Sequence, residues 1–176
     1  MPTRSLAPCF GRPDLLKQTL LWAALAFFPN LLWEVWQIPL YTLVNEQSTA
    51  KVAYAVVHCT LGDASIAAVS FALTSMFLGD VYWPARRPWR GGALVTILGL
   101  AYTVFSEWYN VYQIGSWAYS PSMLLIAGIG LSPLLQWLLL PAVTLVPMRL
   151  LQHRRWPGEA RHRAVATTAN REVTKR

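Results

Sequence analysis

Charge is scarce in this sequence and unevenly spread. Only 13% of its 176 residues are Asp, Glu, Lys or Arg, against 55% hydrophobic residues. From Gln18 to Asn45 the sole charged residue is Glu34, from Val52 to Gly79 only Asp63, and from Gly91 to Met148 only Glu107. Apolar runs longer than the ~20 residues that cross a bilayer exclude an ordinary soluble domain, and this hydrophobicity excludes a disordered chain. Cysteine is also short: Cys9 and Cys59 are too few for a disulfide scaffold, and their different depths argue against pairing. Of three histidines, only His58 lies in an apolar run, which leaves no bis-histidine ligation for haem within one protomer. The sequence contains no CxxC pair, HExxH, P-loop or GxGxxG fingerprint.

What remains is a membrane pattern. Four spans are predicted, at about 18–44, 52–78, 92–114 and 122–148. They are too long and too continuously apolar for barrel strands, so the fold class is all-α: a polytopic four-transmembrane-helix bundle. Residues 1–17 form a cytoplasmic N-terminal segment, 18–148 the membrane domain and 149–176 a basic cytoplasmic tail. Ala24-Leu25-Ala26 is read as part of a retained span rather than a cleavage site, because apolar sequence continues past it.

Orientation follows from the basic residues. Arg4, Arg12 and Lys17 precede span 1, Arg86, Arg87 and Arg90 separate spans 2 and 3, and eight more follow span 4, leaving only Lys51 for the opposite side. The positive-inside bias places both termini in the cytoplasm and the chain in an inner (plasma) membrane. The basic excess, which in a soluble protein would point to nucleic acid, thus reads as topology. The tail is expected to meet anionic lipid headgroups, not RNA or DNA. Trp and Tyr concentrate toward the outer half, partly as an interfacial belt. The uncharged outer loop Gly115–Pro121 is expected to fold against the bundle as a lid.

The acidic residues carry the functional signal. A carboxylate inside a span costs about 2.5–3.5 kcal/mol on insertion scales, so it normally faces the bundle interior or a wet cavity. At ~1.5 Å rise per residue, Glu34 and Asp63 lie roughly 15 Å from the outer ends of their spans, and Glu107 and His58 roughly 10 Å. These four are the candidate catalytic residues. Helical spacing adds Asn30, Gln37 and Tyr41 to the face of Glu34, Asn110 to that of Glu107, and pairs Ser132 with Gln136 one turn apart. Asn30, Trp33, Gln37, Trp108, Asn110 and Gln136 are the candidate binding or supporting groups, with Trp33 and Trp108 abutting the two glutamates as pocket walls. Pro29, Pro133 and Pro141 are expected to interrupt their spans and free backbone carbonyls.

A shift of 73 residues superposes Glu34 on Glu107, Gln37 on Asn110, Cys59 on Ser132 and Asp63 on Gln136. This register is compatible with a tandem repeat of two helix hairpins, in which Glu34 would face Glu107 and Asp63 would face Gln136.

Three functions fit. Paired carboxylates in an apolar cavity can hold opposite protonation states, which suits an enzyme isomerising, cyclising or hydrating an isoprenoid- or lipid-like substrate. A metal-assisted variant would draw on Glu34, His58, Asp63 and Glu107 as oxygen and nitrogen ligands for a divalent ion. Alternatives are a small proton-coupled or metal/organic-cation transporter, or a non-catalytic subunit of a membrane complex. Expected partners are membrane lipids, a lipophilic small molecule or cation, and a second copy in a homo-oligomer, with no nucleic acid.

Overall fold

The structure, a computed structural model, describes residues 11–155; Cys9, His162 and the sequence after Arg155 lie outside the described residues. Four of its helices are long and apolar enough to cross a membrane, which makes the chain a multi-pass helical membrane protein. Helix α1 (Arg12–Gln37) starts with Pro13 and Asp14 in its first turn, where a missing N–H and an acidic side chain both suit the helix start. It ends in a 3-10 turn, Ile38–Leu40, and is followed by the short α2 (Leu43–Glu46). Helix α3 (Thr49–Leu78) returns across the bundle and stops at Gly79, whose φ of +61° forms a left-handed cap. The short α4 (Trp83–Arg86) leads into α5 (Pro88–Trp108), which continues as a π-helical turn over Tyr109–Gln113. Helix α6 (Leu131–Arg155) completes the bundle.

Each long helix packs against two others in a ring: α1 on α3, α3 on α5, α5 on α6, and α6 back on α1. The up-and-down order is visible at both ends. Gln152 near the end of α6 donates to Gln18 Oε1 near the start of α1 at 2.9 Å, and its Oε1 accepts from the Ala85 N–H at 3.2 Å. We call this end the terminal face. At the opposite end, the lid face, the Thr42 N–H donates to Ala118 O (3.0 Å) and the Ser120 N–H to Leu40 O (2.9 Å).

Span 4 differs from the sequence expectation. It begins at Leu131, not at 122, because residues 125–130 form a small antiparallel hairpin, β1 (Leu125–Ile126) with β2 (Ile129–Gly130). Ala127 and Gly128 both have positive φ, 50° and 83°, the backbone that a two-residue hairpin turn requires and a helix forbids. The fold is therefore a helical bundle with one small β-hairpin in its lid. The same shift changes the meaning of Pro133, which now sits in the first turn of α6. Its absent N–H has no helical partner to lose there, so it does not interrupt the helix. Pro133→Ala is expected to cost less than about 1 kcal/mol, read as a small change in thermal unfolding in detergent. Pro29 and Pro141 do lie within helices, as expected.

The terminal-face half is the tightly packed half. The rings of Trp22, Phe71 and Trp83 meet pairwise at centroid distances of 5.4–5.5 Å and are buried together with Met148. Trp83 lies on Gly91 and Trp137 on Gly99, so two glycines of α5 serve as seats for indoles.

Candidate functional site

The lid-side half of the bundle holds two groups of polar side chains. In the first, Gln136 of α6 is the hub. Its Nε2 lies 2.8 Å from Asp63 Oδ2, 2.9 Å from Asn30 Oδ1 and 3.3 Å from Glu34 Oε1. Gln37 Nε2 donates to Glu34 Oε1 at 2.6 Å and reaches Gln136 Oε1 at 3.3 Å. Ser132 Oγ donates to Gln37 Oε1 at 2.8 Å and accepts from Trp33 Nε1 at 3.2 Å. Asn30 Nδ2 turns back to the Ala26 carbonyl at 2.8 Å. Three helices, α1, α3 and α6, are thereby tied together by one connected network. Asn30, Glu34, Gln37, Ser132 and Gln136 are buried, while Asp63 keeps a partly exposed edge.

The donors in this network are few. One amide nitrogen offers two hydrogens, yet Gln136 Nε2 faces three acceptors. Glu34 Oε1 and Asp63 Oδ2 converge on this one nitrogen, at 3.3 and 2.8 Å. Two carboxylates present only acceptors, so a bond between them requires a proton. The cations of α1 and α3, Arg12, Lys17 and Lys51, stand near helix ends, three or more turns from either acid, and the Arg86–Asp80 ion pair (3.5 Å) lies at the terminal face. The arrangement is a pair of acids clamped by two amides, suited to share one proton.

The second group surrounds Glu107 of α5. Tyr119 donates to Glu107 Oε2 at 2.6 Å, and the Tyr41 hydroxyl lies 3.5 Å from the same oxygen. The Trp117 indole adjoins this carboxyl, but its buried Nε1 makes no hydrogen bond. Tyr119 also accepts from the Gly130 N–H at 3.0 Å, and its ring lies tilted against that of Tyr41 with centroids 5.7 Å apart. Tyr112 fastens the hairpin from α5's π-helical turn, donating to Gly128 O at 2.6 Å. The segment 115–130 thus closes over Glu107 as a folded lid, with positive-φ glycines near both ends, Gly115 and Gly128. Burial first, and then the adjoining Glu107 carboxyl, push the Tyr119 phenol above its usual range. It therefore remains a hydrogen-bond donor throughout physiological pH.

Tyr119→Phe removes the shortest tie between lid and bundle. Backbone amides of residues 115–130 are expected to exchange hydrogen at least about tenfold faster, as loss of a hydrogen bond to a charged or acidic partner implies. Exchange mass spectrometry checks this, and unchanged protection would show that the lid is held by its apolar contacts instead.

The structure brings Glu34, Asp63, Asn30, Gln37 and Gln136 together, and places Trp33 beside them through Ser132. Glu107 stands in the adjoining group, electrostatically close to Glu34. Three expected residues stand apart. His58 is exposed and stacks on exposed Tyr54 with centroids 5.7 Å apart. One position along α3 separates it from inward-facing Cys59, and 100° per residue is enough to turn it out of the bundle. Trp108 is 45% exposed and packs beside Phe105, so it faces outward and does not wall a pocket. Asn110 donates to the Ser106 carbonyl at 2.8 Å and not to Glu107, because the π-helical turn rotates it out of register with the α-helical stripe. The four-ligand metal set is consequently not assembled. Among the described residues no three His, Cys, Asp or Glu side chains are placed to hold a metal ion.

Asp63 and Gln136, 73 residues apart, do face each other as the repeat register requires. The remaining contacts are asymmetric: Gln37 bonds Glu34, whereas its counterpart Asn110 bonds the backbone. Tyr119, the closest partner of Glu107, stands out in the sequence only as one of the outer aromatics and as part of the lid. Its position 12 residues along, beyond a turn and a loop, leaves no periodic signal.

Fold and site together define the class, a polytopic helical membrane protein with a buried carboxyl–amide centre beneath a folded lid. No protein-family model, curated protein or solved structure matches the chain.

Proposed function

We propose that the chain is an intramembrane enzyme that performs acid–base chemistry on a lipophilic, isoprenoid- or lipid-like substrate by isomerisation, cyclisation or hydration. The observation that carries this reading is the convergence of Glu34 and Asp63 on Gln136 Nε2, with Gln37 also clamping Glu34 and Glu107 held in the adjoining group. Such a pair can donate a proton to a carbon–carbon double bond, and a second carboxylate can remove one from a neighbouring carbon. Water-poor surroundings strengthen both steps.

A transporter needs a route through the bundle. Below the pair the route narrows to a cavity of about 10 Å³ lined by Asn30, Trp22, Trp137 and Thr144, room for about one water, and then meets the buried Trp22–Phe71–Trp83 cluster. This blockage favours chemistry at the site over passage through it. The basic asymmetry supports a topology with both termini in the cytoplasm, which puts the lid on the outer face of an inner membrane.

The test uses purified protein in lipid nanodiscs, a polyprenol-containing lipid extract and D₂O. Acid–base chemistry at carbon incorporates deuterium into a lipid, which mass spectrometry detects. Incorporation by the wild type that is lost in Glu34→Gln supports the proposal. Incorporation no greater than that of empty nanodiscs refutes it for this lipid class.

A further inference from the structure

The site is connected very differently to the two faces of the membrane. Toward the lid face, titratable groups succeed one another within a short distance. The Tyr41 hydroxyl lies 3.5 Å from Glu107 Oε2, Tyr119 donates to the same oxygen and joins it to the lid, and Cys59 stands one helical turn from Asp63 on α3. Toward the terminal face the sequence contains no Asp, Glu, His, Cys, Tyr or Lys between these acids and the helix ends, apart from Tyr102 of α5, which is 50% exposed on the outside of the bundle. On α1 the next is Lys17, on α3 Asp80 beyond its C-cap, on α5 Arg90 and on α6 Arg149. That interval is filled by Trp22, Phe71, Trp83 and Met148, each 0–1% exposed. Hydroxyls of Thr19, Thr74 and Ser75 lie in this region, but none has a hydrogen-bond partner, so they form no chain. A water-sized cavity in this interval ends against Trp22.

We propose that the Glu34–Asp63 pair exchanges its proton with water on the lid face alone, by way of Glu107, and that Tyr119 gates the exchange. One proton leaves the pair, and the two resulting carboxylates remain held by the Gln37 and Gln136 amides. The proton adds to the Glu107 carboxylate, next to Tyr41. When Tyr119 lifts from Glu107 Oε2 with the lid, Glu107 releases that proton to water, and the pair is refilled by the reverse path. No electrons move and no bond to carbon is made or broken. Tyr119 is a positioning residue in this scheme: it holds the Glu107 carboxyl and shuts out water.

This inference rests on the reading of Glu34–Asp63 as a proton-holding pair, but not on any particular substrate. It is tested on the full chain in sealed liposomes by infrared spectroscopy of the protonated-carboxyl C=O band. Assignment comes from loss of the band in Glu34→Gln and Asp63→Asn, and vesicle orientation from protease access to the chain after Arg155. A pH jump on the lid face is expected to change the band, while the same jump on the terminal face leaves it unchanged. Glu107→Gln should slow the response about a hundredfold, and Tyr119→Phe should speed it. Trp22→Ala, which opens the aromatic plug, should admit a terminal-face response. A wild-type response to the terminal-face jump, or an unaltered rate in Glu107→Gln, overturns the sidedness and the path. Absence of any band assignable to the pair would instead overturn the acid-pair reading on which it rests.

Discussion

Glu34→Gln is expected to lower turnover by at least about a hundredfold, the usual worth of a positioned acid, while leaving the bundle folded. The substitution is a near-isostere, and the network can absorb it. A glutamine at 34 can keep its oxygen toward Gln37 Nε2, now at 2.6 Å from Glu34 Oε1, and present its NH₂ to Asp63. Every existing donor retains an acceptor, and Asp63 gains an amide donor where it had a carboxylic proton. What disappears is the transferable proton itself. Asp63→Asn removes it from the other side and should produce a loss of similar size. A proton shared as proposed makes the double variant little worse than either single one. Turnover measured by deuterium incorporation, with thermal unfolding as the control for folding, checks all three. Multiplicative losses in the double variant would mean that the two acids act independently, contrary to a shared proton.

The centre of this site was legible in the sequence because helices impose a period and membranes penalise charge. Glu34, Gln37 and Asn30 fall on one face by spacing alone, and Asp63 and Gln136 stand out as polar residues within apolar runs. Similar estimated depths on separate helices were enough to expect a common layer. The lid defeated the same reasoning. Residues 122–130 carry no charge and are mostly apolar, so hydropathy extends span 4 through them, whereas the positive φ of Ala127 and Gly128 forms a hairpin. Hydropathy reports partitioning and says nothing about backbone turn geometry. For His58, depth along the helix does not fix azimuth, and a single residue step from Cys59 turns it outward. Asn110 was placed on the correct α-helical stripe, but α5 does not remain α-helical through it. Tertiary partners such as Tyr119 have no sequence period at all.

Helix packing gives the largest expected effect on stability. Gly99→Ala would put a methyl carbon 1.9 Å from Cε3 and 2.4 Å from Cζ3 of Trp137. A buried indole at 4% exposure, pressed between α5 and α6, has little room to yield. Either the ring leaves its rotamer or the helices separate, and the expected cost is about 3 kcal/mol or more, at the upper end for overpacking. The effect should reach the site, because Trp137 follows Gln136 directly and its ring also approaches Asp63. Displacing the indole therefore disturbs the amide that bridges Asp63, Asn30 and Glu34. Gly62→Ala is the matched control. An added Cβ there has nothing within 4 Å, so better helix propensity should make this change neutral or stabilising by about 0.5–1 kcal/mol. Adding Trp137→Phe to Gly99→Ala removes part of the clashing ring and should recover some of the lost stability, a coupling of about 1 kcal/mol or more. Thermal unfolding in detergent measures the series. If Gly99→Ala and Gly62→Ala behaved alike, the Gly99–Trp137 seat would not be what fixes α5 against α6, and the placement of Gln136 would need another cause.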